Sequence, residues 1–141
     1  MKELKFTIPI DPKPKKNSQR IIKVHGRPMV IQGKTYREYE AACKKYVPRL
    51  TKPITEPVVV ECLFYRRERR VVDLANLQAA INDILVKFGV LADDNRDIIA
   101  SGDGSRVFWD KANPRTEVTI RKYEGRYEQW KTQKDAEERT E

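Results

Sequence analysis

The sequence predicts one mixed α/β domain in which helices pack on a mixed β-sheet. The residues Val58–Tyr65, VVVECLFY, are rich in β-branched and aromatic side chains, which is typical of a buried strand. The residues Asp73–Phe88 instead carry apolar side chains at helical spacing. With 141 residues, of which 39% are hydrophobic, the chain is long enough to bury a core.

The N-terminal segment predicts a strand and then an exposed basic loop. Apolar and polar residues alternate over Lys2–Ile10, as in a half-buried strand. Residues 11–20, DPKPKKNSQR, contain two prolines and several lysines, so they favour a loop. The loop is either simply solvated or binds phosphates, and the charge of the chain favours phosphate contacts from Lys13, Lys15, Lys16, Asn17 and Arg20.

The next segments predict a hairpin and a helix. Apolar runs at Ile21–Val24 and Pro28–Gln32 flank a His-Gly pair, which indicates a β-hairpin. The residues Lys34–Leu50 show tyrosines at helical spacing, and Thr35 with Glu38 fits a capping box at the start of that helix. We expect the tyrosines to lie in the core.

The composition disfavours several classes of protein. No run of about 18 apolar residues is present, and the N-terminus lacks the apolar region of a signal peptide, so we expect a cytoplasmic protein without membrane spans. The one histidine, His25, fits a turn and is too little for a histidine-based zinc site or a catalytic triad. Cys43 and Cys62 are expected to be buried, reduced thiols.

The charge is divided unevenly along the chain. Residues 1–70 contain 18 Lys/Arg and 7 Asp/Glu, a net charge of +11, whereas residues 71–141 contain 11 Lys/Arg and 14 Asp/Glu, a net charge of −3. The total of +8 alone is compatible with ordinary solubilising charge. The bias between the halves favours a polyanion-binding surface around an acidic centre.

The helix predicted from residue 73 to residue 88 has two distinct sides. Its apolar arc, about 120° wide, contains Leu74, Leu77, Gln78, Ile81, Ile84, Leu85 and Phe88. Its polar arc, about 80° wide, contains Asp73, Asn76, Ala80, Asp83 and Lys87. Gly89 is expected to end the helix, and a second acidic group follows at Asp93 and Asp94. Acids at both places could hold a hard divalent cation.

Four arginines precede this helix. Residues 66–70, RRERR, follow the predicted strand directly and lead to Asp73. We expect Arg67, Arg69 and Arg70 to bind phosphate beside the acids, because guanidinium groups pair well with phosphate oxygens.

The last third of the chain predicts closing strands and a tail. Short apolar or alternating segments at 98–101, 106–109 and 116–121 favour strands. From residue 124 onward the chain is mostly charged. We therefore expect a folded domain at 1–123 and a charged tail at 124–141, which either docks through Tyr127 and Trp130 or stays disordered.

Three motifs together resemble the RusA family of Holliday-junction resolvases. They are Asp73-Leu74-x-Asn76-Leu77, then Asp83-x-Leu85, then Gly89-x-x-x-Asp93-Asp94, against a family pattern of roughly D-x-D-N-L-x-K, D-x-L and G-x-x-x-D-D. The proline-rich opening and the order of elements also resemble that family, from residue 3 to about residue 122.

The resemblance implies an endodeoxyribonuclease of phage or prophage recombination and repair. It implies a magnesium-dependent homodimer, with Mn²⁺ as a possible substitute, acting on branched, four-way DNA. The family's first motif aspartate falls on Asp73 and the second of its closing pair on Asp94, and Asp93 and Asn76 match as well. The catalytic candidates are therefore Asp73, Asp93 and Asp94, and the metal ligands are these three with Asp97.

Two departures from the family pattern bear on activity. Ala75 stands where the family has its second aspartate, and Ala79 stands where it has a lysine. Replacement acids are sought among Asp83, Asp97 and Asp103; Asp83 lies ~15 Å from Asp73 by helix rise, so Asp97 is preferred.

The departures leave alternative hypotheses open. The chain is an active nuclease, a junction-binding protein with a weakened or lost metal site, or a single-strand-binding module, which would need a base-stacking face. The residues alone also permit a helix cap at Asp73 and a solvated turn at Asp93 and Asp94.

Overall fold

A computed structural model describes residues 1–15, 19–125 and 136–139. Among these residues the strands and the two longer helices follow in the order β1 (Leu4–Ile8), β2 (Gln19–Val24), β3 (Arg27–Gln32), α1 (Lys34–Cys43), β4 (Val58–Arg66), α2 (Leu74–Lys87), β5 (Ile99–Ser101), β6 (Arg106–Trp109) and β7 (Arg115–Lys122). The predicted order of elements is confirmed, and the chain forms a mixed α/β fold.

Five strands form the main sheet. The path runs β1-β7-β4-β5, and β6 pairs with β4 beyond β5. β7 is antiparallel to both β1 and β4, whereas β5 and β6 are parallel to β4. Between β5 and β6, the Ser105 hydroxyl accepts the Cys62 amide at 2.9 Å, which bridges the gap in pairing along β4.

One face of the sheet carries the core. Alternate residues of β4, namely Val58, Val60, Cys62 and Phe64, are fully buried, and they join α1 and α2 in one hydrophobic cluster. The opposite face carries Glu61, Leu63 and Tyr65, which are only half-buried. Cys43 and Cys62 are buried free thiols as predicted, and burial raises the pKa of each to about 12.

Two predictions about helix geometry are wrong. α1 begins at Lys34 with Gly33 as its N-cap, and no side chain caps it, so Thr35 is not the cap. The helix therefore begins two residues earlier than a cap at Thr35 would place it, and Tyr36 in its first turn is buried. α1 also ends at Cys43, followed by a 3₁₀ turn, because Pro48 pushes Val47 into an extended conformation.

The buried stripe of α2 is rotated from its predicted position. Ala80, predicted on the polar arc, is fully buried, while Leu74, predicted on the apolar arc, is exposed. Alanine has no polar group to hydrate, so its burial costs little. The end of α2 is as predicted: Gly89 has a φ of +79°, and its amide donates to the Val86 carbonyl at 3.2 Å.

The hairpin of β2 and β3 forms a separate two-stranded sheet. His25 and Gly26 both have positive φ in its turn, so the histidine is a turn residue as predicted. Tyr127 and Trp130 lie outside the described residues, so the prediction for the tail stays a prediction. In the described part of the chain, no helix has the length and apolar character needed to cross a membrane.

Candidate DNA-cleavage site

The segment between β4 and α2 presents arginines to solvent. Arg66 Nη1 donates to the Arg70 carbonyl at 3.1 Å, which closes residues 66–70 into a compact turn. The Arg67 amide donates to Asp11 Oδ1 at 3.0 Å and ties this turn to the start of the basic loop. Arg67, Arg69 and Arg70 are exposed. We call residues 66–70 the arginine turn.

Asp73 stands at the N-cap of α2 without acting as a side-chain cap. Its backbone is extended, with φ −73° and ψ 126°, and its carboxylate makes no hydrogen bond to the helix amides. The Asn76 amide nitrogen Nδ2 donates to Asp73 Oδ2 at 3.5 Å. Asp73 is exposed. Its carboxylate therefore does not cap the start of the helix and is accessible to a ligand.

Near the other end of α2, Asp94 interacts with two further carboxylates, those of Asp93 and Asp83. The Asp94 amide donates to Asp93 Oδ1 at 2.7 Å, which fixes the turn that contains the pair. Desolvation raises the pKa of the Asp94 carboxyl, and hydrogen bonding to Asp93 and the nearby carboxylate of Asp83 raise it further. Lys15 forms an ion pair with Asp83. We call Asp83, Asp93 and Asp94 the acidic cluster.

Asp73 and the acidic cluster are separated along α2. Asp83 follows Asp73 by ten residues, which corresponds to ~15 Å of helix rise. Asp94 interacts with Asp83, so its carboxylate lies toward the far end of α2 from Asp73. In the described parts of the chain, no group of three or more His, Cys, Asp or Glu side chains could hold a metal ion. Carboxylate oxygens suit Mg²⁺, which usually takes one or two of them together with waters and substrate phosphates.

Asp97 and Asp103 differ as candidate replacement acids. Asp97 is half-buried, its amide donates to Asn95 Oδ1 at 2.9 Å, and its own buried Oδ1 has no hydrogen-bond partner. Asp103 lies exposed in the turn after β5, where its amide donates to Ser101 Oγ. Asp97 Oδ1 therefore accepts no hydrogen bond from the described residues. Hard cations bind carboxylate oxygens of this kind.

The two alanines that depart from the family pattern are both exposed on α2. Ala75 lies in the first turn and Ala79 one turn later, outside the buried stripe. Neither position is required by the core. A carboxylate at residue 75 would stand beside Asp73, and a lysine at residue 79 would be solvent-accessible.

The basic loop connects the two ends of the candidate site. Lys13 pairs with Asp11 at 3.1 Å, next to the arginine turn, and Lys15 reaches Asp83. Both lysines therefore contact acids of this chain, while their role in binding phosphate stays a prediction. Lys16, Asn17 and the side chain of Arg20 lie outside the described residues.

Sequence reasoning assigned no role to two aromatic residues beside the arginine turn. The Trp109 indole Nε1 donates to the Arg67 carbonyl at 2.8 Å, and the Arg69 guanidinium lies 4.1 Å from the centroid of the Trp109 ring. Phe108 stacks on Tyr65. The sequence feature that could have indicated such a role is the presence of two large aromatic residues on a strand of only four residues.

An α/β domain that presents arginines next to an exposed carboxylate has the features of an enzyme that acts on nucleic-acid backbones. A family model described as endodeoxyribonuclease RusA matches residues 9–121, which is most of the chain. The chain therefore belongs to the RusA endodeoxyribonuclease family, whose members are nucleases of branched DNA junctions. The resemblance drawn from the motifs is confirmed. No curated protein sequence matches the chain closely enough to count as a relative.

Proposed function

We propose that this protein is a Mg²⁺-dependent, structure-selective endodeoxyribonuclease that nicks four-way DNA junctions in phage or prophage recombination and repair. Besides membership of the family, one structural observation supports the proposal. The arginine turn leads directly to Asp73, whose exposed carboxylate is not used as a helix cap. Groups that bind phosphate thus stand next to a group that can take part in its cleavage.

Each group has a distinct task in this proposal. Arg67, Arg69 and Arg70 hold the DNA backbone, together with lysines of the basic loop. Asn76 orients the Asp73 carboxylate through its amide. The proposed metal ligands are Asp73, Asp93, Asp94 and Asp97. When bound, Mg²⁺ would lower the pKa of an attacking water and stabilise charge on the phosphate oxygens; Mn²⁺ could replace it.

The separation within one chain supports a homodimer as the active species. Asp83, which interacts with Asp94, follows Asp73 by ~15 Å of helix rise, and this separation argues against one ion held by both Asp73 and Asp94 of the same chain. We propose that Asp73 of one copy and Asp94 of a second copy contribute to the same site. Two-fold symmetry then generates two equivalent sites, which suits two symmetric nicks in one junction.

A second candidate function is a junction-binding protein with weakened or lost catalysis. Ala75 and Ala79 favour it, because alanine can neither ligate a metal nor contact a phosphate. The two functions share the DNA-binding surface and differ only in cleavage.

The test is cleavage of a labelled four-way junction by the purified protein. We expect paired nicks with Mg²⁺ or Mn²⁺, none with EDTA, and little cleavage of a linear duplex of the same length. Tight binding of the junction without nicks in either metal would reject the nuclease and support the second function.

A further inference from the structure

β6 exposes large apolar side chains at the margin of the main sheet. Among the described residues, β6 pairs with β4 alone. Val107, Phe108 and Trp109 are 37%, 43% and 46% exposed. These three residues are consecutive on one strand at the sheet margin, and several large exposed apolar side chains at one place can mark an interaction site.

Phe108 ends an ordered stack of flat groups. It pairs with Tyr65 across the sheet, with ring centroids 5.0 Å apart and planes inclined by 20°. Tyr65 is also paired in register with Arg115 of β7, whose guanidinium lies 3.8 Å from the ring centroid. Tyr65 thus lies between Arg115 and Phe108. One side of Phe108 packs on Tyr65, and 43% of the residue stays accessible at the sheet margin.

Arg115, at the other end of the stack from Phe108, is held in place by two carboxylates. Arg115 Nε donates to Glu117 Oε2 at 2.7 Å, and Arg115 Nη1 donates to Asp110 Oδ2 at 2.9 Å. Both acids pair with Arg115, so this group of three side chains carries a formal net charge of −1 and holds the guanidinium in place. A ring held in place loses little conformational entropy when a second flat group stacks on it.

Trp109 is fixed beside the arginine turn. By strand alternation it points to the opposite face of the sheet from Phe108. Its Nε1 donates to the Arg67 carbonyl, and Arg69 lies over its ring. The exposed arginines of the turn are therefore adjacent to an exposed indole. Positive charge interleaved with exposed rings is the arrangement that proteins use to bind unpaired nucleotides.

We propose that Phe108 and Trp109 form a stacking edge for unstacked DNA bases, with the adjacent arginine turn holding the neighbouring phosphates. The occupant is DNA whose bases are unpaired or splayed, as at a branch point, because bases inside a duplex expose no face for stacking. The inference rests on the proposed function only in taking branched DNA as the natural ligand. It assigns the preference for branched over linear DNA to two rings outside the carboxylate site.

The experiment compares Phe108→Leu with Phe108→Tyr and Val107→Leu. The first removes the ring but keeps an apolar side chain, the second keeps a ring, and the third alters an exposed neighbour on the same strand. Binding is measured by fluorescence anisotropy with three probes of matched length: a four-way junction, a single-stranded oligothymidylate and a linear duplex. We expect Phe108→Leu to bind the junction and the single strand about tenfold more weakly, with duplex binding unchanged within about twofold.

A second measurement follows Trp109 directly. In a Trp130→Phe background, oligothymidylate should quench the fluorescence of Trp109, whereas the linear duplex should not. Trp109→Phe should retain most of the single-strand affinity, because it keeps a ring while losing the hydrogen bond to Arg67. Trp109→Leu should lose about tenfold.

Several results would overturn the inference. Equal binding by Phe108→Leu and the wild type, or an equal loss with all three probes, would show that the ring does not select unstacked bases. A change in oligomeric state of the leucine variants, by light scattering, with unchanged DNA affinity would identify this edge as a contact between copies. The proposed function and the stacking edge can fail independently. If the wild type does not cut the junction but Phe108→Leu selectively loses binding to the junction and the single strand, the nuclease is rejected and the stacking edge is retained.

Discussion

The two ends of α2 have opposite chemistry. At the start, the exposed Asp73 follows an arginine turn, and Asn76 makes a weak polar contact to it. Near the end, Asp94 is crowded by Asp83 and Asp93, and Lys15, in the described part of the basic loop, pairs with Asp83. The first end thus presents guanidinium groups beside a carboxylate, and the second presents carboxylates that repel one another.

The two chemically different ends of α2 are also far apart in one copy of the chain. Crowded carboxylates repel one another, and a divalent cation would relieve that repulsion. Yet the phosphate-binding end lies ~15 Å of helix rise away from the acidic cluster. In the proposed function, a second copy of the chain brings the two ends of α2 together.

The largest effect is expected from removing either carboxylate. Asp73→Asn and Asp94→Asn should each lower the rate of junction cleavage by at least about 100-fold, because losing ~3 kcal/mol of transition-state stabilisation has that effect. Junction affinity should change little. Single-turnover cleavage with a binding measurement in parallel tests this. Full activity in Asp73→Asn would remove the start of α2 from the site.

A gain of activity is expected at Ala75. Ala75→Asp restores the acid of the family motif at an exposed position in the first helical turn, where negative charge is favourable. Junction cleavage should rise about tenfold without loss of thermal stability. Ala75→Asn, which has the same shape and no charge, is the matched control. Equal cleavage by both variants and the wild type would mean that the site is complete without this acid.

The arginine turn should account for much of the DNA affinity. Arg67→Ala or Arg70→Ala should weaken junction binding severalfold and reduce the slope of log affinity against log salt by about 1, the value for one lost phosphate contact. Arg49→Ala, an exposed arginine remote in sequence from the turn, should leave the slope unchanged. A slope that is unaltered in all three variants would show that the backbone is bound elsewhere.

The smallest effect is on stability at the acidic cluster. Since the pKa of Asp94 is raised in the folded state, the folded chain is most stabilised where the carboxyl is protonated, and that stability is lost as pH rises past its ordinary value. Asp94→Asn should therefore raise the melting temperature by about 2 °C at pH 7 and by less at pH 4. Asp103→Asn, outside the cluster, should not. Thermal unfolding at both pH values decides, and a lowered melting temperature for Asp94→Asn would contradict the crowding.

Much of the fold could be predicted because it follows from local patterns. The alternation in β4 and the left-handed Gly89 at the end of α2 are properties of neighbouring residues, and both hold in the structure. The cap of α1 was missed because the burial of Tyr36, a tertiary contact, decides where that helix begins.

The site was predicted in part for the same reason. The motif identified Asp73 and Asp94, but helix rise measured from Asp73 set Asp83 aside. The chain after Gly89 folds back, with the Val90 amide donating to the Leu85 carbonyl at 2.8 Å, and Asp94 then lies against Asp83. Periodicity carries no information on such a return, nor on the stacking of Phe108 against Tyr65 between two strands distant in sequence.

Mixing two variants that are each expected to be inactive tests most directly whether two copies of the chain share one site. Asp73→Asn and Asp94→Asn are co-refolded and incubated with a labelled junction and Mg²⁺. If each site takes Asp73 from one copy and Asp94 from the other, a mixed dimer retains one intact site, and the mixture should nick one strand of the junction. Cleavage no greater than that of either variant alone would contradict a site shared between copies.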